Sequence, residues 1–168
     1  MLTAVTFNIE SFFEQADMDG ARGFALFPPA ALISVGVNLL GGWLCDRMPL
    51  RGFLIALLAA MATYMTGLIL LRPGPTVWLI IASFGISNGL FGLLTAVTWP
   101  RYFGREHLGA ISGLSMTLMV VFSAVGPAFF STVLKYTGSY TPALLCGLIT
   151  AGLLLAGAFS ARNPQRDA

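Results

Sequence analysis

The sequence predicts an all-α fold, a polytopic helical bundle that crosses a membrane several times. Three observations predict it. Of the 168 residues, 57% are hydrophobic and 10% charged, against roughly 25% charged in an ordinary soluble domain, and the mean hydropathy is +0.82. Five runs each keep about 20 predominantly apolar residues together, the length that carries a helix across roughly 30 Å of hydrocarbon. The nine arginines and lysines all lie between or beyond those runs, where water can hold their charge. The net charge of +2 is thus a property of loops, and no nucleic-acid partner is expected.

The opening run, MLTAVTFNIESFF over residues 1–13, is shorter than the others. At 1.5 Å per residue it covers only about 20 Å, so it reads as the second half of a span. A secretory signal fits poorly, because no cationic segment precedes the run, Asn8 and Glu10 interrupt it, and no small-residue cleavage site follows. Complete spans are then predicted over 24–44, 53–71, 77–98, 109–134 and 142–161, with a short tail over 162–168. Together they make one transmembrane bundle over 1–161.

Hairpin connections alternate between membrane faces, so their cations can be compared. The loop at 46–52, the loop at 100–108 and the tail hold Arg47, Arg51, Arg101, Arg105, Arg162 and Arg166. The alternate set holds Arg22, Arg72 and Lys135, diluted by Glu14, Asp17 and Asp19. Cytoplasmic loops carry the arginine and lysine excess, which puts the first set and the C-terminus in the cytoplasm. Cys45 and Cys146 then fall near opposite faces, far beyond the ~6 Å that a disulfide tolerates, and read as packing residues. No Cys/His cluster has zinc spacing, and the single histidine, His107, lies in a loop. Neither a metal nor a cofactor is expected.

The stretch GGWLCDRMPLR, residues 41–51, crowds three charges into one turn between oily runs. Gly41 and Gly42 remove side chains where two helices converge. Asp46 presents a carboxylate at the membrane edge, Arg47 and Arg51 hold the loop in water, and Pro49 stiffens the turn. A plain hairpin needs nothing more. Yet Gly42, Leu44, Asp46, Arg47 and Arg51 reproduce the spacing G-x-L-x-D-R-x-x-x-R/K, which resembles the signature cytoplasmic loop of the major facilitator superfamily (MFS) of secondary transporters. That pattern usually has glycine where Pro49 stands and a basic residue where Leu50 stands; both departures match the weaker copy in the family's C-terminal half.

Two further stretches resemble the same family: WPRYFGREHLGAISG over 99–113, like its last cytoplasmic loop, and AVGPAFFSTVLKYTGSYTPALL over 124–145, like its last helix pair. The resemblance covers nearly the whole chain and implies the C-terminal six-helix half of a twelve-helix transporter, the opening run being the seventh helix. It also implies that Asp46 latches a helix end of the opposite half in the state open to the outside. The wording of the loop leans toward the branch of monocarboxylate and related organic-anion porters.

Polar residues inside spans are the candidates for contact with a solute or a proton, since such transporters bind near the bilayer midplane. Asn8, Glu10, Asn38 and Asn88 lead, with Thr6, Ser34, Ser83, Ser87, Ser115, Thr117 and Ser123 behind them. Glu10 is the one ionisable group placed within a span, which suggests proton coupling; if its helix ends near Phe13 or Glu14, it merely reaches water. Each asparagine can equally bond a neighbouring helix. Asn88 stands out because SFGISNGLFG surrounds it with glycines. Gly126 and Pro127 should bend the fourth complete span, as a hinge or as a static kink. The pairs Gly85/Gly89 and Gly109/Gly113 predict close helix contact, and Trp99, Tyr102 and Phe103 an interfacial anchor.

The expected function is transport of a small solute by alternating access across the plasma or inner membrane, as part of an integral multi-pass protein. The expected partners are the lipid bilayer, the solute, a proton as coupling ion, and the missing N-terminal six-helix half or a second chain. A start inside a hydrophobic run favours a fragment or a mispredicted start over a split half that pairs with another chain or with itself. A non-transporting membrane remnant or scaffold is the alternative. A membrane-embedded enzyme ranks last, because there is no H-E-x-x-H, no pair of intramembrane aspartates and no Ser/His pair at one depth.

Overall fold

A computed structural model describes residues 2–16, 18–104 and 108–160. Met1, Asp17, Arg105, His107, residue 161 of the last predicted span and the tail over 162–168, with Arg162 and Arg166, lie outside the described residues. The rest forms α1 (Leu2–Phe7), α2 (Ile9–Gln15), α3 (Ala21–Phe24), α4 (Phe27–Cys45), α5 (Leu50–Ile69), α6 (Pro75–Phe103), α7 (Leu108–Thr137) and α8 (Thr141–Ser160). Five helical stretches are long and apolar enough to cross a membrane, α3 and α4 in series counting as one.

The opening run is not the single helix that its hydropathy suggested. It breaks at Asn8, whose backbone has φ −110 and ψ 12. The Asn8 side chain causes the break locally: its Nδ2 donates to the Ala4 carbonyl at 2.8 Å, the acceptor a regular helix would give to the Asn8 amide. That amide turns to the Val5 carbonyl instead, at 3.0 Å, a tighter i−3 bond. The helix then resumes and reaches Gln15, two residues past the predicted 13.

The remaining bounds move for equally local reasons. Pro28 and Pro29 sit in the first turn of α4, where no amide donor is needed, so α4 itself starts at Phe27, within a span that begins at Ala21. Pro49 caps α5 in extended geometry (φ −68, ψ 136), drawing Leu50 to Gly52 into the helix. Helix α6 runs through Pro100 to Phe103, because proline removes only its own donor while its carbonyl still accepts, here from Gly104 N at 3.1 Å. At 29 residues it is about 43 Å long, more than the hydrocarbon layer needs. Helix α7 passes unbroken through Gly126 and Pro127 and stops at Gly138, whose φ of 70 suits glycine.

Helix α6 is the centre of the bundle, packed between α4 and α5; α5 also packs on α8, and α1 on α7. Small residues set the closest approach. A Cβ on Gly85 would lie 2.6 Å from the Ala30 carbonyl oxygen, and one on Gly89 2.7 Å from that of Ser34; α6 thus touches the backbone of α4. Between helices in lipid, where the hydrophobic effect supplies no drive, such contact is a main source of attraction. Gly41 plays the same part against Leu93, and Gly126 against Ala4. The expectation fails for Gly109, Gly113 and Gly42: a Cβ there meets nothing within 4 Å, so small residues at helical spacing are not by themselves a contact. Two apolar clusters fill the interior, one around Phe13, Tyr64, Ile80, Phe130 and Leu144, the other around Cys45, Phe53, Leu57 and Leu93.

Candidate functional site

The α4–α5 turn, with the C-terminal ends of α4, α6 and α8, forms one end of the bundle, called here the motif end. Arginines organise it. Arg101 of α6 donates from Nη1 to the Cys45 carbonyl at 2.9 Å, and Arg51 of α5 donates from Nε to the Ala158 carbonyl at 3.0 Å and from Nη2 to that of Phe159. Each guanidinium satisfies carbonyls that a helix C-terminus leaves open and faces the negative end of its dipole. Arg47 lies 4.3 Å over the Trp43 ring, a cation–π contact worth about 0.5–1 kcal/mol at an exposed site. The exposed Asp46 carboxylate is engaged by no hydrogen bond or ion pair among the described residues. Of the sequence-predicted motif, Arg47 and Arg51 are thus held within the chain, while Asp46 and Gly42 face open space.

Between the first half of α4 and the middle of α6 lies a recess of about 260 Å³ lined by Phe27, Ala30, Ala31, Ser34, Phe84 and Asn88. The glycine contacts hold its two walls together. Asn88 donates from Nδ2 to the Phe84 carbonyl at 3.0 Å, keeping Oδ1 and its second N–H. Asn38, a turn beyond Ser34, crosses to the Gly89 carbonyl at 3.3 Å. Phe84 packs edge-on to Phe27 at 5.8 Å and tilted against Tyr64 at 5.2 Å. Sequence reading found Asn38, Asn88 and Ser34 but missed the aromatic wall; Phe27 and Phe84 look like any lipid-facing residue until their neighbours are known. Of the other span hydroxyls, Ser83 bonds back to the Leu79 carbonyl at 2.7 Å. Ser87 is fully buried with no partner in the described residues.

Asn8 belongs to a different cluster. Its Oδ1 accepts from the Tyr140 hydroxyl at 3.2 Å and from Ser131 Oγ at 3.5 Å, and the Phe12 ring stacks on Tyr140 at 4.2 Å. Thr3 and Ser123 share a hydrogen bond of 2.8 Å. The broken first span is therefore tied to α7 and to the α7–α8 turn. Glu10 is exposed on the first turn of α2, its chain lying over Gly20; α2 continues five residues further, about 7–8 Å. Cys45 is buried and Cys146 exposed, both as free thiols. Among the described residues, no three His, Cys, Asp or Glu side chains gather where they could hold a metal ion.

A mainly apolar recess with two polar side chains, an arginine-braced turn and five apolar helices among the described residues describe a polytopic membrane protein, and sequence comparison gives the family. Residues 1–127 match the family model described as Major Facilitator Superfamily; the chain belongs to that family, as its turn motif suggested. It is 29% identical over 120 residues to the uncharacterized transporter YycB of Bacillus subtilis (strain 168), covering 68% of this chain and 29% of that protein. It is 30% identical over 144 residues to Monocarboxylate transporter 12 of Rattus norvegicus, covering 80% of this chain and 29% of that protein. The chain thus spans less than a third of the length of either relative. No solved structure matches it.

Proposed function

We propose that this chain is the C-terminal six-helix half of a secondary transporter that moves a small solute by alternating access, and that it is not an enzyme. The observation that carries the reading is the recess. The half-buried Ser34 and Asn88 and the exposed Asn38 stand near the middle of helices whose large exposed hydrophobic neighbours there include Leu32, Val35, Leu39 and Phe91. A polar face at that depth is turned from lipid toward protein or water, and midplane polar groups between two halves are where such transporters bind. The opposite wall is an N-terminal six-helix half, or a second chain, and the motif end faces the cytoplasm. Asp46, without a partner among the described residues, is the group that engages that second body. A proton is the proposed coupling ion, with Glu10 its candidate carrier.

The test is uptake into proteoliposomes that hold the chain together with six preceding helices. Saturable uptake that Ala31→Phe and Asn88→Ala reduce at least tenfold, with insertion unchanged, is the expected result. Uptake indifferent to both substitutions rules the recess out, and no uptake from a well-folded assembly rules out transport.

A further inference from the structure

We propose that the α4–α6 recess receives an uncharged, planar part of the solute, held by Asn88 and Ser34, and that any charge on the solute is met elsewhere. This rests on the transport reading and specifies the chemistry of its site.

The volume sets the size. About 260 Å³, at roughly 30 Å³ for each water-sized group, holds eight or nine non-hydrogen atoms, a ring with one substituent rather than a whole drug-sized molecule. The walls set the shape. Phe84 is pinned between Phe27 and Tyr64, so the aromatic surface is already in place before a ligand arrives. Ala30 and Ala31 leave the opposite side shallow. A flat group fits between them with its face or edge on a ring, the arrangements aromatic surfaces favour.

The polar groups set the chemistry. Among the described residues Asn88 has an acceptor and one donor unused, and the Ser34 hydroxyl has no partner. Together they match an amide, a carbonyl or a hydroxyl. None of the six lining residues is charged, and neither α4 nor α6 carries a charged residue before Arg101, one turn from the end of α6. A carboxylate or ammonium in the recess would lose its water without gaining a counterion, which is the costly case for a buried charge. A neutral amide loses far less and recovers it in two hydrogen bonds. A solute with one ionic and one neutral end is therefore oriented, neutral end toward this half.

Benzamide and benzoate, nearly equal in shape and different in charge, are the probes. The unaltered chain in lipid nanodiscs is titrated with each at neutral pH, and saturation-transfer NMR is read against empty nanodiscs. The expected result is saturable contact by benzamide, at least tenfold tighter than benzoate, and weakened at least tenfold by Ala31→Phe and by Asn88→Leu. Gly113→Ala, which faces open space, leaves it unchanged. Benzoate binding as tightly as benzamide, no saturable benzamide contact, or benzamide binding undiminished in Ala31→Phe each overturns the proposal. The comparison of the two probes needs no variant, so it survives a substitution that fails to fold. It reads binding alone, so its failure leaves the uptake assay to decide transport separately.

Discussion

At the scale of single residues, the two ends of the bundle are closed by different chemistry. Arg51 reaches two carbonyls of the last turn of α8. Arg51→Gln removes both charge-assisted bonds and should destabilise that turn by about 1–2 kcal/mol, seen as faster amide exchange over the end of α8 with α6 unaffected. Arg51→Lys should restore only part, because an ammonium lacks the fork that spans two acceptors. At the far end, Asn8 is bonded to its own helix, to Tyr140 and, weakly, to Ser131. Asn8→Ala is expected to straighten α1 into α2 and cost about 1 kcal/mol, near the middle of what interhelical hydrogen bonds contribute in membranes; thermal unfolding in detergent measures it. Sequence reading put Asn8 among solute contacts or helix glue with nothing to divide them. Its partners lie more than 120 positions away, and no local pattern encodes them.

At the scale of elements, the contact between α4 and α6 decides whether the recess exists. Gly89→Leu drives a side chain into the Ser34 carbonyl and Val37, so the helices must separate. The expected outcome is loss of the folded species on size exclusion, whereas Gly113→Leu, with open space before it, leaves the profile unchanged. Both glycines occur in the same G-x-x-x-G spacing, which is why one was legible in the sequence and the other misread. Spacing shows that a helix has a smooth face; only the fold says what lies against it. Long spans were otherwise easy to read, because bilayer thickness fixes their length. Their ends were not, since Pro28, Pro49 and Pro100 act by position within a turn rather than as simple stops.

At the scale of the whole molecule, the described contacts are unevenly shared. Helix α7 leaves Leu114, Leu118, Val121, Phe122 and Val125 exposed along its length, which lipid or a second body covers. Under the proposed function Asp46, which has no partner among the described residues, engages such a body. Asp46→Asn in an assembly containing both halves is expected to shift the balance toward the inward-open state. Reactivity of cysteines introduced on each face measures this, and equal labelling on both faces before and after would remove the latch. The family was legible because its turn motif is short, local and polar in an apolar chain. The solute was not, because the chain spans less than a third of the length of either relative and its recess presents only two polar side chains.

The tie between the first span and the last hairpin also has a meaning in time. Thr3 meets Ser123 and Asn8 meets Tyr140, so these two hydrogen bonds cannot form until about 120 further residues have left the ribosome. At roughly 5–20 residues per second that is a wait of about 6–24 s. Helices α4, α5 and α6, which pack on one another through α6, can associate meanwhile. A ribosome that stalls after α6 leaves a packed centre while Thr3 and Asn8 still lack their α7 and turn partners, the kind of intermediate that membrane quality control would recognise and remove.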